Sequence, residues 1–178
     1  AAAAGVRMLI VPVDIATEFP RKWEDTSAFI AWFEDTLNQA RAAYTKLAEA
    51  NLCVPCDLPA EYLFEHTYFV VGAHPYSAPD YNQEAEKRLF ELLEHPLCVG
   101  VGEIGLDFGP YCEVPEEIQR QAFERQLSIA HEHNQRVELH LRDGADDTHA
   151  HDLALEILNR MGVPKAGCDL HCYTDGPE

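Results

Sequence analysis

At 178 residues with 47% apolar side chains, the chain is long enough for one domain with a real core, and too ordinary in composition for a disordered tract or a disulfide-held miniprotein. Thirty-one acidic residues against thirteen basic ones give a formal charge of −18, which repels polyanions and argues against broad electrostatic binding to duplex DNA. No apolar run approaches the ~20 residues of a membrane-crossing helix, no basic-then-apolar leader opens the sequence, and the expected setting is cytoplasmic with reduced thiols.

In chain order, residues 1–5 (AAAAG) read as the tail of a helix leading into a first apolar run at 8–14 (MLIVPVD), which ends in Asp14. A helix is predicted over about 27–51, with Ser27 as N-cap and Ile30, Phe33, Leu37, Ala40, Tyr44 and Leu47 forming one stripe at spacings of three and four. A loop containing Cys53-Val-Pro-Cys56 and Pro59 follows; with no second CxxC pair, ordinary thiols are expected there rather than a zinc knuckle. The second apolar run, 68–74 (YFVVGAH), ends in His74, and a helix over about 82–94 buries Leu89, Leu92 and Leu93.

The third run, 98–107 (CVGVGEIGLD), carries Glu103. A helix over about 115–133 starts with Pro115 at its first position and buries Phe123, Leu127 and Ala130. The fourth run, 137–142 (VELHLR), carries His140, and a helix over about 147–161 stops at Gly162 and Pro164. The fifth, 167–174 (GCDLHCYT), carries His171. Strand and helix alternate four times before the last strand, the pattern of parallel strands joined by crossover helices in one domain over 1–178. No GxGxxG or GxxxxGK[ST] follows a strand, which disfavours a doubly wound nucleotide fold. The expected class is a TIM-type (β/α)8 barrel. Since such a barrel needs about 250 residues, about five strands with their helices are expected here.

Catalytic groups in these folds gather where strand C-termini face one crevice. Alternation puts Glu138, His140 and Arg142 on one face of their strand; Val101, Glu103, Gly105 and Asp107 on one face of theirs; and Asp169, His171 and Tyr173 on a third. Three polar faces of the same parity are costly to bury unless they converge on something charged, so a metal site is expected. Cys168 and Cys172 alternate away from the face of His171. Solvated helix ends account for His131 and His133, and a solvated first turn accounts for His149 and His151.

The motifs Gly72-Ala-His74-Pro75, 99–107 (VGVGEIGLD), Gln119, Gln126-Leu127 with Ala130, 137–142 (VELHLR) and His171-Cys-Tyr follow one another in a familiar order and spacing. The series resembles the TatD family of metal-dependent deoxyribonucleases, in the wider amidohydrolase-like group of barrels, over about residues 5–178. The resemblance implies divalent metals, zinc, manganese or magnesium and two in an intact site, and hydrolysis of phosphodiesters at DNA ends. Carried over to matching positions, Glu103 bridges the metals, His140 and His171 are imidazole ligands, His74 assists or touches substrate, and Arg142 faces a phosphate oxygen. The family also carries a His-x-His pair on the first barrel strand and an Asp on the last. No such pair precedes the GAHP strand here and the chain stops at Glu178, so little activity is expected of these 178 residues alone. The insertion at 52–67 is expected to reshape the substrate entrance. The surface charge favours short or single-stranded DNA as substrate and no membrane partner. Two rival readings are an ester or amide hydrolase of the same barrel group, which would not need Arg142, and an inactive structural piece.

Overall fold

Consecutive strands lie side by side and point the same way. In the computed structural model, which describes residues 1–145 and 147–172, β1 (Leu9–Asp14), β2 (Thr67–Gly72), β3 (Cys98–Asp107), β4 (Arg136–Arg142) and β5 (Cys168–Leu170) form one parallel sheet in the order β1-β2-β3-β4-β5. Between them run α1 (Thr26–Glu49), the short α2 (Glu61–Glu65), α3 (Gln83–Leu93), α4 (Glu116–Glu132) and α5 (His149–Met161). Parallel neighbours joined in sequence order, with α1, α3, α4 and α5 packed on one face of the sheet, give the winding of a (β/α)8 barrel, here with five of its strands among the described residues. No helix among the described residues is long and apolar enough to cross a membrane.

The core lies between that face and the helices. Val13, Phe69, Val71, Val101, Ile104, Leu106, Val137 and Leu139 come from strands, and Phe29, Phe33, Leu89, Leu92, Phe123, Leu127 and Ile157 from helices. The caps follow local chemistry. Asn82 opens α3 by accepting from the Glu84 and Ala85 amides, and Gly162, at φ 89°, closes α5. For α1 the cap is Asp25, whose carboxylate accepts from Ala28 N at 2.8 Å, rather than Ser27. Phe29, absent from the predicted stripe, is fully buried and edge-on to Phe69 at 5.1 Å. Pro115 likewise sits one position ahead of expectation, as the N-cap of α4.

At 24 residues, α1 is about 36 Å long, while a six-residue strand spans about 20 Å. Its last turns therefore overhang the sheet, and Leu47 is exposed. Tyr44 there packs against a small second core of Ala2, Ala60, Leu63 and Phe64. The 52–67 insertion belongs to this end. It folds into α2 just before β2 begins, and its contacts, Val54 N to Ala3 O and Leu9 N to His66 O, are at the start of β1. Expected at the substrate entrance, it lies instead at the strand N-termini, away from the site, because Leu63 and Phe64 have apolar surface to cover there. All six cysteines are free, as the composition suggested.

Candidate metal centre

The helix-averted face of the sheet becomes polar at its C-terminal edge. On β4, Val137 and Leu139 are buried in the core while Glu138, His140 and Arg142 alternate to the other side. Registry with β3 pairs Gly105 with His140 and Asp107 with Arg142, so these share a face. Val101 does not. It pairs with Val137 and is buried in the core, because the ladder slips between Val101 and Ile104, where the Gly102–Glu103 peptide is cis. The slip spoils strict alternation upstream of Glu103 but leaves Glu103, Gly105 and Asp107 in phase. Gly105 is required by this packing, since a Cβ there would stand 2.1 Å from the His140 carbonyl oxygen.

Two groups of metal-competent side chains result, and Glu103 belongs to both. His74, Glu103 and His140 form one, Glu103, Glu138 and His171 the other, each with its donor atoms within 4.8 Å of one another. His74 Nε2 is 3.8 Å from Glu103 Oε2, and His171 Nε2 is 3.1 Å from Glu103 Oε1. His171 Nδ1 faces Glu138 Oε1 at 3.6 Å. The four expected residues His74, Glu103, His140 and His171 thus converge, and Glu138, known from the sequence only as a neighbour on the face, joins them. Asp14 does not. Its carboxylate accepts from Ala16 N and Thr17 N and closes a local turn.

Electrostatics match a cation. Burial, reinforced by the nearby His140, pushes the His74 imidazole below its usual value, so a neutral ring with a free lone pair is favoured. Burial raises the Glu138 carboxyl, opposed by His171 and reinforced by Glu103 and Asp169. Among the described residues no Lys or Arg pairs with Glu103 or Glu138. Crowded carboxylates with only imidazoles beside them are a donor set suited to a divalent ion.

Buried polar groups behind the cluster hold it. Asp107, fully buried, meets His140 Nε2 at 2.9 Å through Oδ2. Gln126 accepts from Ala73 N at 2.7 Å and donates to Ala73 O, pinning the residue before His74. Gln119 does the same for Asp107, accepting from its N at 2.8 Å and donating to its O. Thus α4 ties down the ends of β2 and β3 with two glutamines.

A cleft of about 690 Å³ opens over the cluster, lined by His74, Glu103, His140, Arg142, His151 and His171 among others. Arg142 reaches it as predicted. The first turn of α5 is not simply solvated. His151 pairs with Asp143 at the cleft wall, and His149 pairs with Glu116 at 2.7 Å and stacks on Phe108. Cys172 also lines the cleft, with Sγ 3.1 Å from His171 Nε2. Strand β5 ends at Leu170 and Cys172 adopts φ 50°, so alternation no longer governs its direction. Tyr173, expected beside His171, lies outside the described residues.

The model of the TatD related DNase family matches residues 27–178. The chain belongs to this family. It is 35% identical over 111 residues to the 3'-5' ssDNA/RNA exonuclease TatD of Escherichia fergusonii, covering 62% of this chain and 40% of that protein. It is 31% identical over 115 residues to the uncharacterized metal-dependent hydrolase YabD of Bacillus subtilis, covering 65% of this chain and 42% of that one. The crystal structure of YjjV, a TatD homologue from Escherichia coli K12, superposes with a TM-score of 0.57 at 25% identity, over 96% of this chain and 50% of that chain. The chain therefore spans well under half the length of these two curated relatives. The match starts within α1, so the first strand, expected to share the TatD resemblance, precedes it.

Proposed function

We propose that the protein is a divalent-metal-dependent phosphodiesterase of TatD type, acting on single-stranded nucleic-acid ends. The observation that carries this reading is the shared position of Glu103, whose two oxygens address His74 on one side and His171 on the other, with Arg142 two residues beyond His140 on the same strand face. Glu103, His140 and His171 would hold the metal, with His74 and Glu138 completing the two groups. Mixed imidazole and carboxylate donors suit zinc or manganese, and magnesium less well. When bound, such cations supply the positive charge a phosphodiester needs in a chain of net charge −18, and they acidify water.

The residues' own roles follow from geometry. Asp107 accepts a hydrogen bond from Nε2–H of His140, which fixes the ring and leaves Nδ1 with the lone pair. Burial favours the neutral form of the His74 ring. Arg142, with its planar fork, pairs with phosphate oxygens and orients the scissile group. This chain offers a cleft rather than a basic surface, which fits a strand end better than a duplex and accords with a relative named a 3'-5' ssDNA/RNA exonuclease. The test is a substrate panel of bis(4-nitrophenyl) phosphate, end-labelled single-stranded DNA and RNA, a neutral ester and an amide, offered to the intact protein with manganese or zinc. Chelator-sensitive cleavage of the phosphodiesters is expected. Turnover of the ester or amide alone would overturn the reading.

A further inference from the structure

Beside the cleft stands an aromatic ring with almost no use inside the fold. Tyr111, in the β3–α4 loop, is 78% exposed, the most of any large apolar or aromatic side chain in the described residues. Its ring centroid lies 5.8 Å from the guanidinium carbon of Arg142. The loop presenting it is well tied. Phe108 N donates to Arg142 O at 2.7 Å, Gly109 N to Asp107 Oδ1 at 2.8 Å, Cys112 N to Gly109 O at 3.1 Å, and Gln119 Nε2 to Val114 O at 2.8 Å. The ring is thus held out on a fixed turn rather than on a loose one.

Arg142 is placed with equal care. It runs along Gly109, where a Cβ would stand 2.8 Å from Nε and 2.9 Å from Cδ, so the glycine makes room for the side chain. In a chain with 31 acidic and 13 basic residues, no carboxylate among the described residues forms an ion pair with it. A guanidinium with no ion-pair partner among the described residues, at a cleft beside a tyrosine face, gives this rim two open recognition surfaces. One is its own fork, the other the exposed ring.

We propose that Tyr111 and Arg142 form a nucleotide subsite at the rim of the metal cleft, with an unpaired nucleobase stacked on Tyr111 and a neighbouring phosphate on Arg142. The assignment rests on the phosphodiesterase reading and names the side chains that hold a strand end beside the cleft. Net repulsion denies this chain the usual electrostatic source of affinity for nucleic acid, and stacking is the term that charge does not cancel. A base inside a duplex has both faces covered, so the subsite selects single strands or frayed ends. Every base offers a π-face, so little base preference is expected.

The test is equilibrium binding to this chain of a short single-stranded oligonucleotide carrying 2-aminopurine at its end, in calcium, with an abasic-ended oligonucleotide as its pair. Stacking quenches the fluorophore. Tyr111→Phe should bind like wild type, whereas Tyr111→Ala should bind roughly tenfold more weakly. The abasic oligonucleotide should bind wild type as weakly as Tyr111→Ala binds the intact one, with no further loss in the variant. Because Tyr111 is exposed, circular dichroism should show the variants folded. Equal binding of the intact oligonucleotide by wild type and Tyr111→Ala would overturn the subsite, as would equal losses on both oligonucleotides. Either result, with phosphodiester hydrolysis by the metal-loaded intact protein unaffected, removes the subsite and leaves the enzyme reading standing. Absence of both hydrolysis and oligonucleotide binding in the wild type removes the two together.

Discussion

His140 Nε2 lies 2.9 Å from Oδ2 of Asp107, a carboxylate with no exposed surface. A buried acid bonded to an imidazole that faces a metal-competent carboxylate holds the ring's tautomer and direction. Asp107→Asn keeps the shape but can turn an N–H towards Nε2, so the other tautomer gains. Zinc or manganese affinity of the group should fall about 10- to 100-fold, with circular dichroism unchanged. Calorimetric titration of metal into the chain reads this directly, and unaltered affinity would show that Asp107 has only a packing role.

Glu103 and His140 face the cleft and fill no core space. Glu103→Gln and His140→Ala should therefore abolish metal-dependent hydrolysis by the intact protein while keeping most secondary structure. Wild-type turnover in either variant would sink the assignment of this cluster.

Parity explains why this much of the site can be read from residues alone. Downstream of the slip Glu103 keeps phase with Gly105 and so with His140 on the paired strand, and His171, one residue past β5, still continues the ladder through its N–H to Leu139 O. Phase fails where the ladder slips, and so Val101 was expected on the wrong face. It fails again where the strand stops, so Cys172 turned out to line the cleft. The glutamine clamps were visible in principle. Gln119 and Gln126 fall on the same helical stripe as Phe123, Leu127 and Ala130, and a polar residue on an apolar stripe signals a buried partner. Which partner, and the side of the sheet that the 52–67 insertion covers, depends on packing between distant elements that no local spacing encodes.

The clamps should be costly to remove. Gln126, fully buried, satisfies both backbone groups of Ala73, and Gln126→Met fills the same volume but leaves that N–H without its acceptor. An unsatisfied buried group costs about 1–3 kcal/mol, so urea unfolding should show a loss of that order. A loss below about 0.5 kcal/mol would mean that relaxed backbone or water replaces the bond easily.

Stability of the metal-free chain should depend on His74 in a defined pH window. Burial holds its folded value below the ordinary 6.5, so below 6.5 the unfolded chain binds the proton more readily. Its contribution is present above pH 6.5 and is lost as pH falls through the lower folded value. Glu138, raised from 4.5 by burial, runs the other way, its contribution present below 4.5 and lost as pH rises through the folded value. Urea midpoints measured in chelator from pH 7.5 to 5.5 should fall for wild type, and His74→Asn should flatten the slope. An unchanged slope in the variant would assign the acid sensitivity elsewhere.

Arg142 separates phosphate from acyl chemistry. Its guanidinium lines the cleft, beside the metal-competent group and in contact with the Tyr111 ring, where a phosphodiester can meet its charge. A neutral ester offers that charge nothing comparable. Charge-assisted hydrogen bonds to a partly desolvated phosphate are worth about 1.5–3 kcal/mol, so Arg142→Ala should lower kcat/KM for phosphodiesters roughly 10- to 150-fold. Turnover of any neutral ester should fall by less than a few-fold. Arg142→Lys should recover only part of the phosphodiester rate, because a point charge replaces a planar fork. Parallel losses on both substrate classes would mean that Arg142 shapes the cleft without reading phosphate, and the ester or amide hydrolase would become the better account.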